Sequence, residues 1–219
     1  MSQAPAASGD GNSPSPNGHH QSNGHAPEVE WSDDAELPTN HGIFKVRAVR
    51  DQLGSEHLIV YKGDLANSGD VPVRIHSECL TSEVMHSLRC DCRQQLETSL
   101  ALFESEGVGV LIYLRQEGRG IGLFNKIEAY SLQDAGLDTV EANAKLNLPI
   151  DSRSYRLAGI ILRKLGVQSV KLLTNNPLKI ESLEEQGIRI AERIPIHIES
   201  NDFNHKYLAT KKDKLNALH

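Results

Sequence analysis

The fold class predicted by the chain is a layered α/β domain with a mixed sheet, headed by a group of antiparallel strands. Three observations predict it. The second half alternates apolar runs of strand length with stretches of helical periodicity, the pattern of a sheet crossed by helices. Residues 43–76 hold three strand-like runs separated by Gly/Asp/Asn/Ser turns and no helical run. The first 36 residues are Ser, Gly, Asn, Pro, His and acids with almost no large apolar side chain, so the core must come from the rest. The chain has 219 residues, enough for one domain with a sizeable core. It shows no internal repeat and no second domain boundary.

Residues 1–36 are expected to be a disordered polar tail, because they cannot bury enough apolar surface to offset ordering entropy. The folded part, 37–219, should open near Leu37-Pro38-Thr39. Ile43–Val49, His57–Lys62 and Val71–His76 read as the antiparallel strands. Asp91–Glu106 reads as a helix, with Leu96, Leu100 and Phe103 at helical spacing and Gly107 as its stop. Val108–Leu114 is a continuous apolar run of buried-strand length. A helix over Ile121–Ala135 stops at Gly136, and another over Ser154–Leu165 stops at Gly166. Val170–Leu173 is a short buried strand, Leu178–Gln186 a helix closed by Gly187, and Ile188–Ile196 the last strand. A polar helix over Phe203–Ala217 ends the chain.

The formal net charge is −6, which argues against a broad nucleic-acid surface. Part of that acidity sits in the tail, and a local cationic pocket for a phosphorylated small molecule remains compatible with it. The N-terminus lacks the apolar segment of a signal peptide. No apolar run approaches the roughly 18 residues of a membrane span. A reduced, cytoplasmic setting without membrane or nucleic-acid partners is therefore expected.

All three cysteines, Cys79, Cys90 and Cys92, lie in one short stretch. Three cannot all pair, and metal ligation suits them better than disulfides. They can converge on one zinc ion if a loop returns Cys79 to the Cys-x-Cys pair. Spacing alone is equally compatible with a closed structural site, with His76 or His86 as fourth ligand, and an open site that holds water or substrate.

Three later loops carry polar groups at strand ends. Arg115-Gln-Glu-Gly-Arg-Gly-Ile-Gly122 sits between a buried strand and a helix, a phosphate-binding context. It is neither a P-loop nor a dinucleotide fingerprint, and a solvated loop held by an Arg–Glu pair explains it equally well. Asp151-Ser-Arg153 follows Pro149 and is read as opening a helix, with Asp151 a natural N-cap. Arg153 in a first turn opposes the helix dipole unless an anion sits there. Thr174-Asn-Asn-Pro-Leu-Lys179 leaves a strand at its carboxyl end, where α/β sheets bind ligands. Tyr130, mid-helix, needs nothing beyond half-buried packing.

Taken together, the segments Arg74-Ile-His-Ser-Glu-Cys79, Ser87-Leu-Arg-Cys-Asp-Cys92, Arg115-Gln-Glu-Gly-Arg-Gly-Ile-Gly-Leu123, Asp138-Thr-Val-Glu-Ala-Asn143 and Leu172-Leu-Thr-Asn-Asn-Pro177 resemble GTP cyclohydrolase II, which begins riboflavin synthesis. The resemblance runs from about Leu37 to the C-terminus. It implies conversion of GTP to 2,5-diamino-6-(5-phospho-ribosylamino)pyrimidin-4(3H)-one, formate and pyrophosphate. It also implies one zinc per subunit on Cys79, Cys90 and Cys92, magnesium with the triphosphate, and a homodimer. By the same resemblance Asp151 is the proton acceptor, Arg153 the nucleophile towards the α-phosphate, and Tyr130 the helper of the hydrolytic steps. Arg74, Ile75, His76, Ser77, Glu78, Gln95, Glu117, Gly118, Arg119, Thr139, Thr174 and Lys179 match nucleotide-contacting positions.

Glu117 suits the N1–H and amino group of guanine, and Arg119 and Lys179 suit phosphate. Attack by Arg153 requires Asp151 to take a proton from a very weak acid; the same pair also suits stabilising charge while water attacks phosphorus. Arg93 and Gly120 depart from some members, which carry glycine and asparagine there. The tail is too short for the dihydroxybutanone-phosphate synthase domain often fused in this family, so a monofunctional protein is expected. A GTP-binding regulator without complete ring opening is the alternative.

Overall fold

A computed structural model describes residues 29–204. Residues 1–28 of the expected tail and residues 205–217 of the expected C-terminal helix lie outside the described residues. The described chain forms one eight-stranded mixed sheet with helices on both faces. The strands are β1 (Glu30–Trp31), β2 (Ala35–Thr39), β3 (Gly42–Arg50), β4 (Glu56–Lys62), β5 (Val71–Ser77), β6 (Gly109–Leu114), β7 (Ser169–Leu173) and β8 (Arg189–Ile194). The helices are α1 (Leu80–Glu83), α2 (Cys92–Glu106), α3 (Gly122–Asp134), α4 (Thr139–Lys145), α5 (Arg156–Lys164) and α6 (Pro177–Glu184), with a 3-10 turn over Glu117–Gly120.

The strand order is β1-β3-β4-β6-β5-β7-β8, with β2 also paired to β3. The β3, β4 and β6 pairings are antiparallel, whereas β6, β5, β7 and β8 run parallel. The antiparallel group therefore extends the sheet of the parallel half, but β5, expected among the antiparallel strands, pairs in parallel with β6 and β7, and β6 takes the place beside β4. β5 and β6 sit at its centre, which is why both bury nearly every residue.

Strand alternation divides the core. Val110, Ile112 and Leu114 of β6 join Ile75, Ile161, Leu162 and Leu183 beneath α5 and α6. Leu111 and Tyr113 face the other way, with Phe44, Val60 and Phe103 beneath α2. Phe103 packs so closely on β6 that a Cβ at Gly109 would lie 2.2 Å from its ring.

Most elements fall where periodicity puts them. Several do not. The sheet reaches back to Glu30, into the stretch assigned by composition to the tail: β1 and β2 are polar but pair with β3 over Glu30–Arg50 and Ala35–Val46. Backbone pairing, the Arg47–Asp34 and Arg50–Glu30 ion pairs and the packing of Trp31 and Leu37 on the core clusters hold this edge, and its few apolar residues are too scattered to show a period. α1 and α4 also carry too few apolar residues to show a period. α4 begins with a capping box, Asp138 accepting from the Val140 and Glu141 amides while Glu141 accepts from the Asp138 amide.

One expectation is overturned with consequences for the site. Asp151 does not cap a helix and Arg153 is not in a first turn, because α5 starts only at Arg156. The Asp151 side chain instead accepts the Arg153 amide at 3.0 Å and pairs with the Arg153 guanidinium. This local bonding competes with helix formation, and the segment stays outside α5.

Candidate active site

In the parallel half the carboxyl ends of β5, β6 and β7 point the same way, with Ser77 beside Leu114. The loops leaving them carry Glu78-Cys79, Arg115–Gly120 and Thr174–Asn176, and they enclose a cleft of about 620 Å³. This is the ligand-binding end of an open α/β sheet.

Cys79 follows β5, while Cys90 and Cys92 bracket the start of α2. Their sulfurs lie within 4.8 Å of one another, and Cys79 and Cys90 are 3.6 Å apart. A tetrahedral zinc at the usual sulfur distance separates its ligands by about 3.8 Å, so the three thiols fit that ion. Among the described residues no histidine joins the cluster. His76 is engaged elsewhere, 2.7 Å from Glu83.

The charge state of the cluster fits as well. Hydrogen bonds from Cys90 and Cys92 hold Cys79 far below the ordinary thiol range. The same bonds push Cys90 and Cys92 up. A divalent cation among sulfurs this close would favour ionisation of all three.

Next to the cysteines, α3 presents Tyr130 and Lys126 on one face, one helical turn apart. Burial keeps the Tyr130 phenol above its ordinary range, so it stays protonated at neutral pH. Arg89 lies 4.7 Å over its ring and pairs with Asp134. The Lys126 ammonium is 3.2 Å from the Cys79 sulfur and 2.7 Å from Glu117 Oε1. Neither Lys126 nor Arg89 stands out by composition. The four-residue step from Lys126 to Tyr130 is the signal that finds Lys126.

Glu117 is already held by three donors: the Leu80 amide at 2.7 Å, the Gly118 amide at 2.7 Å, and Lys126. A carboxylate offers about four acceptor sites. Glu117 thus has room for roughly one more donor. Glu78 accepts from Arg115 Nε at 2.8 Å, so the Arg–Glu pairing links two loops and is not contained in one.

The pair Asp151–Arg153 lines the same cleft. Arg153 Nε and Nη2 both donate to the carboxylate, the latter at 2.5 Å. Burial alone would raise the Asp151 pKa, but the Arg153 hydrogen bonds and charge outweigh it and hold it below the ordinary value. This loop is tied to the one after β6. The Arg119 carbonyl accepts from the Ser152 amide at 3.1 Å, with Arg119 in the left-handed region at φ 60°. Such a conformation on a non-glycine residue is strained and concentrates at functional loops. Gly120 has φ +89°, and a Cβ there would lie 2.4 Å from Ser152 Oγ.

The floor is made by buried polar groups. Arg74 donates to the Leu173 carbonyl at 2.9 Å and to Gln95, and Gln95 donates to Asp91 at 2.5 Å. Burial pushes Arg74 down to about 10. Lys179 donates to the Ile75 carbonyl at 2.7 Å. Thr174 Oγ1 accepts the Asn176 amide at 3.0 Å, and Ser77 and Thr139 complete the lining. Ile75 is the exception among the expected contact residues: its side chain packs in the core and only its backbone serves this end of the sheet.

The chain is similar to known proteins over most of its length. The family model for GTP cyclohydrolase II matches residues 30–195. A Neisseria meningitidis protein named GTP cyclohydrolase-2 is 52% identical over 182 residues, covering 83% of this chain and 92% of its own. A Picrophilus torridus protein of the same name is 48% identical over 190 residues, covering 87% and 99%. The riboflavin biosynthesis protein RibBA of Synechocystis is 52% identical over 183 residues, covering 82% of this chain and 33% of its own. With the matched stretch running from β1 through β8, and so across the three cysteines and the loops that follow β5, β6 and β7, the chain belongs to the GTP cyclohydrolase II family.

Proposed function

We propose that the protein hydrolyses GTP to 2,5-diamino-6-(5-phospho-ribosylamino)pyrimidin-4(3H)-one, formate and pyrophosphate as the first step of riboflavin biosynthesis. The observation that carries this reading is one cleft lined both by three convergent cysteine sulfurs and by the Asp151–Arg153 pair. A nucleotide spans such a cleft with its base at the cysteines and its α-phosphate at Arg153.

Cys79, Cys90 and Cys92 would hold one zinc per subunit, whose chemistry is to act as a Lewis acid and lower the pKa of water for ring opening. Tyr130, protonated and beside the cysteines, donates a proton to a ring nitrogen as the imidazole opens. Glu117 has room to accept from one donor of guanine, and Arg74 and Gln95 fix the depth at which the base sits. At the other end, Arg153 and Arg119 supply charge for the phosphates, magnesium accompanies the triphosphate, and Asp151 accepts the proton released when pyrophosphate leaves. The Asp151–Arg153 geometry serves either water attack with charge stabilisation or attack by Arg153 itself. In the latter, Arg153 forms an N–P bond as the bond to pyrophosphate breaks, and water then cleaves N–P. A homodimer working in the cytoplasm belongs to the same reading.

The test is one incubation of purified protein with GTP, Mg2+ and zinc, measuring formate and pyrophosphate together. Release of both is expected. Pyrophosphate without formate would remove ring opening from the reading. Tight GTP binding with neither product would make the protein a regulator.

A further inference from the structure

We propose that Lys126 is a positioning residue of the metal centre: its ammonium holds the Cys79 sulfur in place and withdraws charge from it. This rests on the zinc reading above.

A buried ammonium is costly unless fully partnered. The Lys126 side chain is only 11% exposed, and Glu117 Oε1 at 2.7 Å is one partner. Its second is the Cys79 sulfur at 3.2 Å. The face of Tyr130 lies 5.8 Å away. If Lys126 served only to anchor α3, Glu117 alone would satisfy its charge and the nitrogen need not reach a metal-ligating sulfur.

The contacts close a ring. Glu117 Oε1 takes Lys126, and Glu117 Oε2 takes the amide of Leu80 at 2.7 Å, the residue directly after Cys79. Cys79 is therefore gripped twice, at its sulfur by Lys126 and at its following amide by Glu117. Gly118 makes room for the grip, because a Cβ there would lie 3.2 Å from Lys126 Cβ.

The chemical need is plain. Three thiolates place three negative charges on a divalent ion and weaken it as a Lewis acid. An N–H···S bond from a cation draws electron density from one sulfur and restores part of that acidity. Groups that orient metal ligands typically change metal affinity or activity by about 10–100-fold when removed.

The experiment uses the full chain loaded with Co2+ in place of zinc, compared across the wild type, Lys126→Arg, Lys126→Gln and Lys126→Met. Loss of the hydrogen bond in Lys126→Met is expected to move the sulfur-to-cobalt charge-transfer band to lower energy. Zinc affinity, measured by chelator competition, is expected to fall by about tenfold or more. Lys126→Arg, which keeps charge and donor, should restore both. Formate release should fall more than pyrophosphate release. Thermal unfolding of the metal-free proteins separates these effects from loss of fold, and Lys126→Gln carries the test if Lys126→Met does not fold.

An unchanged cobalt spectrum and unchanged zinc affinity in a folded Lys126→Met protein would overturn the proposal, whatever happens to activity. So would a wild type that takes up no cobalt. A shifted spectrum in a protein whose wild type releases no formate would uphold the role of Lys126 and sink the proposed reaction.

Discussion

Cys92 and Arg153 line the same cleft, and single substitutions there should separate two chemistries. Cys92→Ser removes one of three sulfurs that lie within 4.8 Å of one another. Metal-assisted hydrolysis depends on several kcal/mol of charge stabilisation, so formate release is expected to fall about 100-fold or more. Zinc content should drop in parallel, read by metal analysis of the purified variant. Arg153→Lys keeps the charge but loses the two-pronged pairing with Asp151. Hydrogen bonds to charged groups contribute about 1.5–3 kcal/mol, so pyrophosphate release should drop about 10–100-fold. Unchanged pyrophosphate release would exclude any essential covalent role for Arg153.

The two loops that meet at Gly120 and Ser152 form one wall of the site. Gly120→Ala introduces a side chain at φ +89° and places its Cβ 2.4 Å from Ser152 Oγ. Strain of this kind amounts to about 1–3 kcal/mol. The loops are expected to separate, raising KM for GTP while the core strands keep their amide protection, measured by steady-state kinetics and hydrogen exchange. The same wall explains one failure of sequence reading. A capping residue before a helix looks the same as an aspartate bonded to the next-but-one amide, since both put the carboxylate on a backbone N–H. Only the pairing of Asp151 with Arg153 decides between them.

Across the molecule, the central strands are clamped from both sides, and the clamp on the α2 side depends on one ring. Phe103 is fully buried between α2 and the sheet, against Phe44, Val60 and Leu111. Phe103→Ala is expected to destabilise the fold by about 3–5 kcal/mol, measured by denaturant unfolding of the metal-free protein. A loss below about 1 kcal/mol would mean that α2 is not held by this cluster. α2 begins at Cys92, so its docking also sets where two of the three sulfurs stand.

Much of this is legible in the sequence alone. Apolar periodicity located β3 to β8 and the four longer helices, because a face that must be buried leaves its spacing in the chain. The cysteine cluster, the loops of the cleft and the family were legible for a similar reason: their chemistry needs particular residue types at particular spacings. The polar edge strands β1 and β2 were not, since backbone pairing carries no side-chain signature. Nor were Lys126, with its bond to Cys79, or the non-helical course of Asp151–Arg153. The first depends on groups from separate segments meeting through space, residue 126 with residues 79 and 117; the second turns on a local bond between residues 151 and 153 that the sequence does not distinguish from a helix cap. The chain by itself determined which chemistry is present. The tertiary structure decided which side chains share a charge, because that is fixed by distance between elements and not by order along the backbone.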